Sequence, residues 1–186
     1  MEERLLKLFR DKDRLVHKLF YEHYADSMFR LCFRYLKNEH DAEDVMVTGF
    51  MKVFDHVKTF EYRGKGSFDG WVKRILVNES LMFLRKNHNF NMVPENYCKE
   101  IDEDFSPDSE ISAEEIFNLV RTLPIGYRTV FNLYAVEGFT HKDIAKKLGI
   151  SENTSKSQLS KARNAIIKLL EDNKMYLERT RKAGGE

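Results

Sequence analysis

Apolar residues recur every three or four positions along most of the chain, which is the spacing of one buried face of an α-helix. In the first half this spacing predicts helices over four stretches: 1–10, about 13–36, about 41–57 and 67–86. The recurrence stops between about 87 and 112, where asparagine, acidic residues and two prolines predominate, and it resumes at about 113. The fold class predicted is therefore all-α, with two small helical domains joined by a linker.

The predicted domain boundaries follow these interruptions. Residues 1–90 form the first domain, 91–112 an acidic linker and 113–178 the second domain, and a frayed tail is expected over 179–186. No apolar run approaches the roughly 20 residues that a membrane span needs, and the charged N-terminal segment has no signal-peptide core. A cytoplasmic protein without direct membrane insertion is expected.

A helix-turn-helix is predicted in the second domain, over residues 138–163. Thr140 is a candidate N-cap, with Asp143 three residues later to complete a capping box, and Gly149 suits the positive φ at a helix end. Ser151 is the candidate cap of the second helix. Two helices joined by such a tight turn are typical of DNA-binding proteins, in which the second helix enters the major groove.

The second helix of this motif has a polar and basic face, with Glu152 as its one acid. This predicted exposed face consists of Asn153, Thr154, Lys156, Ser157, Gln158, Ser160, Lys161 and Arg163. A helical hairpin without DNA-binding activity would explain the apolar periodicity but not this composition. The residues predicted to contact duplex DNA are Asn153, Thr154, Lys156, Ser157, Lys161 and Arg163.

A second candidate nucleic-acid site lies in the first domain. Aromatic and basic residues alternate in a loop at 60–66 and continue into the next helix, for which Ser67 is the predicted cap. Aromatic rings stack on unpaired bases while cations hold phosphates, so this composition indicates single-strand binding. The candidate residues are Phe60, Tyr62, Arg63, Lys65, Trp71, Lys73, Arg74, Asn78 and Arg85. For Trp71 the favoured alternative is a position in the hydrophobic core.

Charge is unevenly distributed, although the net charge is only +1. Residues 1–94 carry a net charge of +3, residues 95–115 a net −8 and residues 116–186 a net +6. Two mildly basic blocks on either side of an acidic connector indicate two domains that face nucleic acid. The acidic segment itself is explained equally well as a solvated spacer.

The sequence offers no convincing catalytic or metal-binding pattern. Cys32 and Cys98 lack metal-site spacing, and both are expected to be reduced, with Cys32 in the core. The pair His40-Asp41 resembles the His-Asp doublet of metal-dependent phosphohydrolases, but the other histidines complete no ligand set. We therefore expect no metal, no cofactor and no enzymatic activity.

Two series of motifs, one in each predicted domain, point to a known family. The series in the second domain is Leu123-Pro124, Tyr127-Arg128, Val130-Phe131, Leu133-Tyr134, Glu137-Gly138, Asp143-Ile144-Ala145, Leu148-Gly149-Ile150-Ser151, Thr154, Lys156-Ser157 and Lys161-Ala162-Arg163. The series in the first domain is Asp41-Ala42-Glu43-Asp44-Val45, Phe50, Val53, Phe54, Phe68, Trp71, Ile75, Asn78 and Arg85. Over about residues 10–170, and in the same order, these motifs resemble the extracytoplasmic-function (ECF) sigma factors of the sigma-70 family.

The resemblance implies a role for each part of the chain. Asp41, Glu43 and Asp44 would dock on the clamp coiled coil of the β′ subunit of core RNA polymerase, and the β flap would be a further contact. The segment 60–86 would capture an unstacked −10 base, with Asn78 as a candidate reader of its edge. The helix-turn-helix would read the −35 element. The linker would pass near the active centre, and the implied partners are core RNA polymerase, promoter DNA and an anti-sigma factor.

The chain also departs from the family pattern. Val47-Thr48 stand where Gln-Glu or Gln-Asp is usual, Met82 where an acid is common, Ser155 where valine is usual and Gln158 where arginine is frequent. A buried Ser155 would need a hydrogen-bond partner. The alternative function is a stand-alone helix-turn-helix regulator without polymerase binding, which would need an effector or dimerisation domain in residues 1–94.

Overall fold

The computed structural model describes residues 2–11, 14–87 and 112–183. The predicted linker, apart from its last residue, and Cys98 lie outside the described residues. The all-α prediction is confirmed, since the described residues contain helices and no strand. The chain divides into two compact units, Met1–His88 and Asn89–Glu186.

The elements of both units are helical. In the first unit they are α1 (Glu2–Arg10), α2 (Val16–Leu36), α3 (Glu39–His56), a 3₁₀ turn (Val57–Thr59) and α4 (Ser67–Asn87). In the second unit they are α5 (Ala113–Thr122), α6 (Ile125–Phe131), a π-helical turn (Asn132–Val136), α7 (His141–Leu148) and α8 (Glu152–Ala183). Helix α8 therefore continues into the segment for which the sequence predicts a frayed tail.

Two predicted helix starts were wrong. Helix α3 begins at Glu39, because Asn38 has an extended backbone and its side-chain oxygen accepts the Asp41 N–H at 3.0 Å. Asn38 is thus the N-cap of α3. Helix α2 begins at Val16, and Leu15 is 60% exposed because it precedes the first helical turn.

Aromatic rings fill the core of the first unit. Phe20 is fully buried, and its ring centroid lies 5.0 Å from that of Phe50 and 5.2 Å from that of Phe54. These rings meet edge to face, and each such pair contributes about 0.5–1.5 kcal/mol beyond the burial of its area. Helix α1 adds Phe9, whose centroid lies 6.1 Å from that of Phe20. Cys32 is buried as predicted, and burial raises the pKa of its thiol to about 11.

Helices α3 and α4 approach each other closely at Gly49. A β-carbon on Gly49 would overlap Cδ1 of Leu76 and would lie 3.2 Å from its Cδ2. The same helices are joined by an ion pair of 2.7 Å between Lys52 Nζ and Glu79 Oε1. The Glu79 side chain is only 10% exposed, so its charge needs such a partner.

The core of the second unit joins α5, α6 and α8. Its buried members are Val120, Leu123, Tyr127, Ala162, Ala165 and Ile166. The buried Arg128 donates from Nη1 to the carbonyl oxygen of Leu123 at 3.0 Å, which satisfies a carbonyl at the end of α5. Burial lowers the pKa of this guanidinium.

A π-helical turn changes the direction of side chains before the helix-turn-helix. Glu137 donates its N–H to Asn132 O at 3.0 Å, and Phe139 donates to Leu133 O at 2.9 Å. These wider turns break the 3.6-residue period. Tyr134 and Ala135 are therefore exposed.

None of the helices in the described ranges combines the length and the apolar character needed to cross a membrane.

Candidate nucleic-acid interfaces

The helix-turn-helix begins with the cap that the sequence predicted. Thr140 Oγ1 accepts the Asp143 N–H at 3.2 Å and donates to Asp143 Oδ2 at 2.7 Å. The hydrogen bond from the Thr140 hydroxyl holds the pKa of Asp143 below its usual value. Helix α7 ends at Gly149, which has φ 69° and donates its N–H to Ala145 O at 2.9 Å. The predicted positive φ is thus confirmed.

The start of α8 is also capped as predicted. Ser151 Oγ accepts the Thr154 N–H at 2.9 Å and lies 2.8 Å from Thr154 Oγ1. This contact engages the Thr154 hydroxyl, and the Thr154 side chain is half-buried. The other residues predicted to contact duplex DNA are exposed on this helix: Asn153, Lys156, Ser157, Lys161 and Arg163.

Gln158 does not belong to the exposed face, and its placement there was wrong. Its side chain is 2% exposed, and a β-carbon on Gly126 of α6 would lie 3.2 Å from its Oε1. The absence of a side chain on Gly126 makes room for the Gln158 amide, so α6 and α8 approach closely here. Gln158 is a packing residue between two helices.

Ser155 has the hydrogen-bond partner that its predicted burial required. The residue is fully buried, and its Oγ lies 2.9 Å from Nδ1 of His141 on α7. This hydrogen bond joins the two helices of the motif at a position where the family usually has valine. A polar contact therefore replaces an apolar one between α7 and α8.

His141 also belongs to an aromatic and basic cluster that sequence reasoning missed. Its ring stacks on Tyr134 with centroids 4.6 Å apart, and the Arg163 guanidinium lies 5.9 Å from the Tyr134 centroid. Burial lowers the pKa of His141, and the positive charges of Lys156 and Arg163 lower it further, against a smaller opposing effect of Glu152. Tyr134 is exposed because it lies in the π-helical turn, and the 3.6-residue period of apolar positions does not indicate such a turn.

An open groove lies beside the N-terminus of α4 in the first unit, with a volume of about 550 Å³. Its lining consists of Thr59, Phe60, Glu61, Arg63, Gly66, Ser67, Gly70, Trp71 and Arg74. Four predicted single-strand residues are thus brought together: Phe60, Arg63, Trp71 and Arg74. Five others do not line this groove: Tyr62, Lys65, Lys73, Asn78 and Arg85.

The aromatic residues of the groove rest on a buried ring. Phe60 and Trp71 are half-buried with centroids 5.0 Å apart, and they lie 5.2 Å and 5.7 Å from the ring of the fully buried Phe68. Trp71 therefore packs partly into the core and partly lines the groove. Exposed ring area next to Arg63 and Arg74 offers both a stacking surface and phosphate-binding cations.

The loop before α4 is held by side chains and by glycines. Gly64 and Gly66 have φ 107° and 87°, which side chains rarely permit. Ser67, the predicted cap, is instead the first residue of α4, and its hydroxyl accepts the Arg63 N–H at 3.2 Å. At the start of α4, the Glu2 carboxylate accepts the N–H groups of Gly66 and Asp69, a capping role that the sequence assigned to Ser67.

The predicted polymerase-binding residues lie at the start of α3. Asp41 is half-buried by the capping turn, whereas Glu43 and Asp44 are exposed. Val47 and Met51 continue the face of Glu43 at four-residue spacing, and they are 52% and 57% exposed. An acidic helix start is thus followed by an exposed apolar stretch. Across residues 2–11, 14–87 and 112–183, no group of three or more potential ligands could hold a metal ion.

Two family models match the chain. The model described as Sigma-70 region 2 matches residues 20–90, and the model described as Sigma-70, region 4 matches residues 113–166. The chain therefore belongs to the sigma-70 family of RNA polymerase sigma factors, within the ECF group to which several of its curated relatives belong. The resemblance expected from the sequence motifs is confirmed.

The curated relatives are RNA polymerase sigma factors, and several of them are ECF sigma factors. The ECF RNA polymerase sigma factor SigE of Mycolicibacterium smegmatis is 31% identical over 150 residues, which cover 77% of this chain and 57% of that protein. The ECF RNA polymerase sigma factor SigW of Bacillus subtilis is 26% identical over 162 residues, which cover 80% of this chain and 86% of that protein. The chain thus spans little more than half the length of the first relative.

A solved structure is also similar to this chain. It contains the sigma factor RpoE from Bartonella quintana in complex with the anti-sigma factor NepR. The match covers 83% of this chain and 96% of that chain, with 22% sequence identity and a TM-score of 0.48.

Proposed function

We propose that this chain is a dissociable subunit of RNA polymerase that directs transcription initiation at particular promoters. The observation that carries the proposal is that one chain has two surfaces of different composition, each in its own compact unit and each suited to nucleic acid. One is a helix-turn-helix with a basic exposed face, and the other is an aromatic and basic groove. A duplex upstream element and a melted downstream element need these two kinds of surface.

The duplex −35 element is read by α8. Asn153, Ser157 and Thr154 supply polar groups near the start of this helix, and Lys156, Lys161 and Arg163 supply the charge that holds phosphates. Because Thr154 is engaged in the Ser151 cap, its hydroxyl contributes to the position of the helix as well as to any base contact. Tyr134 and His141 lie beside Arg163 and extend this surface beyond α8.

The melted −10 strand is held in the groove of the first unit. An extruded base stacks on Phe60 and Trp71, and Arg63 and Arg74 hold the flanking phosphates. Outside the groove, the strand contacts exposed residues on either side of it: Tyr62, Lys65, Lys73 and Arg85. Asn78 is half-buried, and as a reader of the base edge it stays a prediction.

Core RNA polymerase binds the exposed face of α3. Glu43 and Asp44 meet arginines of the β′ clamp coiled coil by charge-assisted hydrogen bonds, with Asp41 in support. Val47 adds exposed apolar area at a position where the family usually has glutamine, and Met51 extends this apolar area by one helical turn. The β flap and an anti-sigma factor are further proposed partners. Such a subunit works in the cytoplasm and performs no covalent chemistry itself, since the polymerase carries the active site.

The stand-alone regulator is the less favoured function. It needs an effector or dimerisation domain in residues 1–94, but residues 20–90 match sigma-70 region 2. The same residues carry the aromatic and basic groove, which a regulator of duplex DNA does not need.

In vitro transcription tests the proposal. The protein is added to core polymerase from its own host with host genomic DNA, and RNA 5′ ends are mapped. Discrete new start sites that share two upstream elements are expected. Duplex binding without new start sites would favour the stand-alone regulator.

Matched variants then separate the two surfaces. Arg74→Ala is expected to reduce promoter melting, measured by permanganate reactivity, without weakening duplex binding. The control is Arg30→Ala, which removes an exposed arginine from α2 whose ion pair is with Asp26 one turn away. Equal melting by both variants would contradict the role of the groove.

A further inference from the structure

The first helix of the chain contacts the loop that lines the groove. Glu2 Oε2 accepts the N–H of Gly66 at 2.7 Å, and Glu2 Oε1 accepts the N–H of Asp69 at 2.8 Å. Gly66 lines the groove, and Asp69 lies in the first turn of α4. Both oxygens of one carboxylate are therefore used on backbone groups that are 64 and 67 residues away along the chain.

This carboxylate is buried and ionised. Glu2 is 8% exposed, and burial by itself would raise its pKa. Hydrogen bonds from the N–H groups of Asp69, Gly66 and Phe68 outweigh that effect, and the pKa lies below its usual value. If the loop moved away, the carboxylate would lose these donors, so the contact opposes movement of the loop.

Two further contacts join α1 to the same region. The Tyr62 hydroxyl donates to Glu3 Oε1 at 3.2 Å, on the other side of the loop. The Phe9 ring lies 6.5 Å from Phe68, the ring on which Trp71 packs. Helix α1 thus contacts the loop by two carboxylates and the base of the groove by one aromatic ring.

We propose that Glu2 is a positioning residue of the single-strand groove, which fixes Gly66 and the first turn of α4 so that Phe60 and Trp71 are aligned to receive a base. The need for an anchor is physical. Gly66 has φ 87°, and a glycine released from its contacts gains more backbone freedom than any other residue. Glu2 does not line the groove and acts through the backbone. This inference rests on the proposed capture of the melted strand in the groove.

The test compares Glu2→Gln with Glu22→Gln in holoenzyme assembled from host core polymerase. Glutamine keeps the shape of Glu2 but replaces one acceptor oxygen by a donor, so one of the two backbone bonds is lost. Glu22 is a matched control, because it is an exposed carboxylate of α2 that pairs with Lys18 one turn away. Two probes carry the promoter mapped above: duplex DNA that ends at the upstream element, and fork DNA with a single-stranded downstream element.

The ratio of the two affinities is the measured quantity, because a variant that merely folds poorly loses both affinities equally. Glu2→Gln is expected to lower the preference for fork DNA about tenfold, as expected for the loss of one charge-assisted hydrogen bond. Glu22→Gln is expected to leave it unchanged. Amide hydrogen exchange at Gly66 and Asp69 in the full chain should accelerate in Glu2→Gln alone.

The outcomes distinguish the inference from the function on which it rests. If the wild-type holoenzyme shows no preference for fork DNA, the proposed function of the groove fails and the inference fails with it. If the wild type shows the preference and Glu2→Gln retains it, the inference alone is overturned. A loss shared with Glu22→Gln would also overturn it, since the effect would then be one of net charge.

Discussion

The close approach of α3 and α4 at Gly49 predicts the stability of a Gly49→Ala variant, with Gly70→Ala as the matched control. Gly49→Ala gains up to about 1 kcal/mol because alanine favours a helix interior over glycine. It also drives a β-carbon into the buried Leu76 side chain, and overpacking of this kind costs about 1–3 kcal/mol. Gly70→Ala in α4 makes the same chemical change where a β-carbon meets nothing within 4 Å. The propensity gain is common to both variants, so their difference isolates the overpacking cost.

We therefore expect Gly70→Ala to equal or exceed the wild type in free energy of unfolding, and Gly49→Ala to fall about 1–3 kcal/mol below Gly70→Ala. Urea unfolding followed by Trp71 fluorescence measures this difference, because Trp71 is the one tryptophan of the sequence and lies in the unit concerned. Equal unfolding midpoints for the two variants would refute the close packing of α3 on α4.

A double-mutant cycle locates the cost. Leu76→Val shortens the side chain that the new β-carbon meets, and by itself it should destabilise the unit by about 1 kcal/mol. Combined with Gly49→Ala it should cost less than the sum of the two single changes, because the overlap is relieved. Strict additivity would show that the strain of Gly49→Ala lies elsewhere.

Three further predictions concern the two surfaces and their supports. Ser155→Ala should lower the free energy of unfolding of the second unit by about 1 kcal/mol, because His141 loses its hydrogen bond. Circular dichroism should show a lower unfolding midpoint for the second unit, while the unfolding transition followed by Trp71 fluorescence stays in place. An unchanged midpoint for the second unit would contradict this prediction. If Lys156 holds a phosphate, Lys156→Ala should weaken binding to duplex DNA and reduce the slope of log K against log salt concentration by about 1. A loss of affinity confined to changes at one base position would instead indicate direct readout of that base. The pKa of Glu2 in the folded protein lies below its ordinary value of 4.5, so the contribution of Glu2 to stability is present above about pH 4.5 and is lost as the pH falls through the folded pKa. The stability difference between the wild type and Glu2→Gln should therefore shrink on acidification, and a constant difference would contradict the assignment.

The departures from the family pattern have different structural consequences. Ser155 changes how the two helices of the helix-turn-helix are joined, since a hydrogen bond to His141 stands where an apolar contact is usual. Gln158 of α8 packs against Gly126 of α6 and is only 2% exposed, so it is not part of the exposed face of α8. Val47 and Met82 are 52% and 51% exposed, so neither is needed for the core. Changes at these two positions are therefore free to alter binding to a partner without loss of the fold.

The candidate sites were predictable in part. The caps Thr140 and Ser151 and the helix end at Gly149 depend on residues three or four positions apart, and all three were predicted. The groove was predicted as a composition, since Phe60, Arg63, Trp71 and Arg74 were selected, but its lining by Gly66, Ser67 and Gly70 was not. Which of the nine selected residues share one cavity depends on how the loop folds back onto α4.

By itself, the sequence determined the helical fold class, the two basic blocks with an acidic connector, and the family. These properties depend on spacing within one or two helical turns and on residue type, both of which are local. The tertiary structure decided which polar residues are buried and what they contact. Glu2 meets Gly66 across 64 residues, Ser155 meets His141 on another helix, and the π-helical turn exposes Tyr134. The first two are contacts between groups whose separation along the chain is unrelated to their distance in space, and the third is a departure from the 3.6-residue period, so a regular local periodicity indicates none of them.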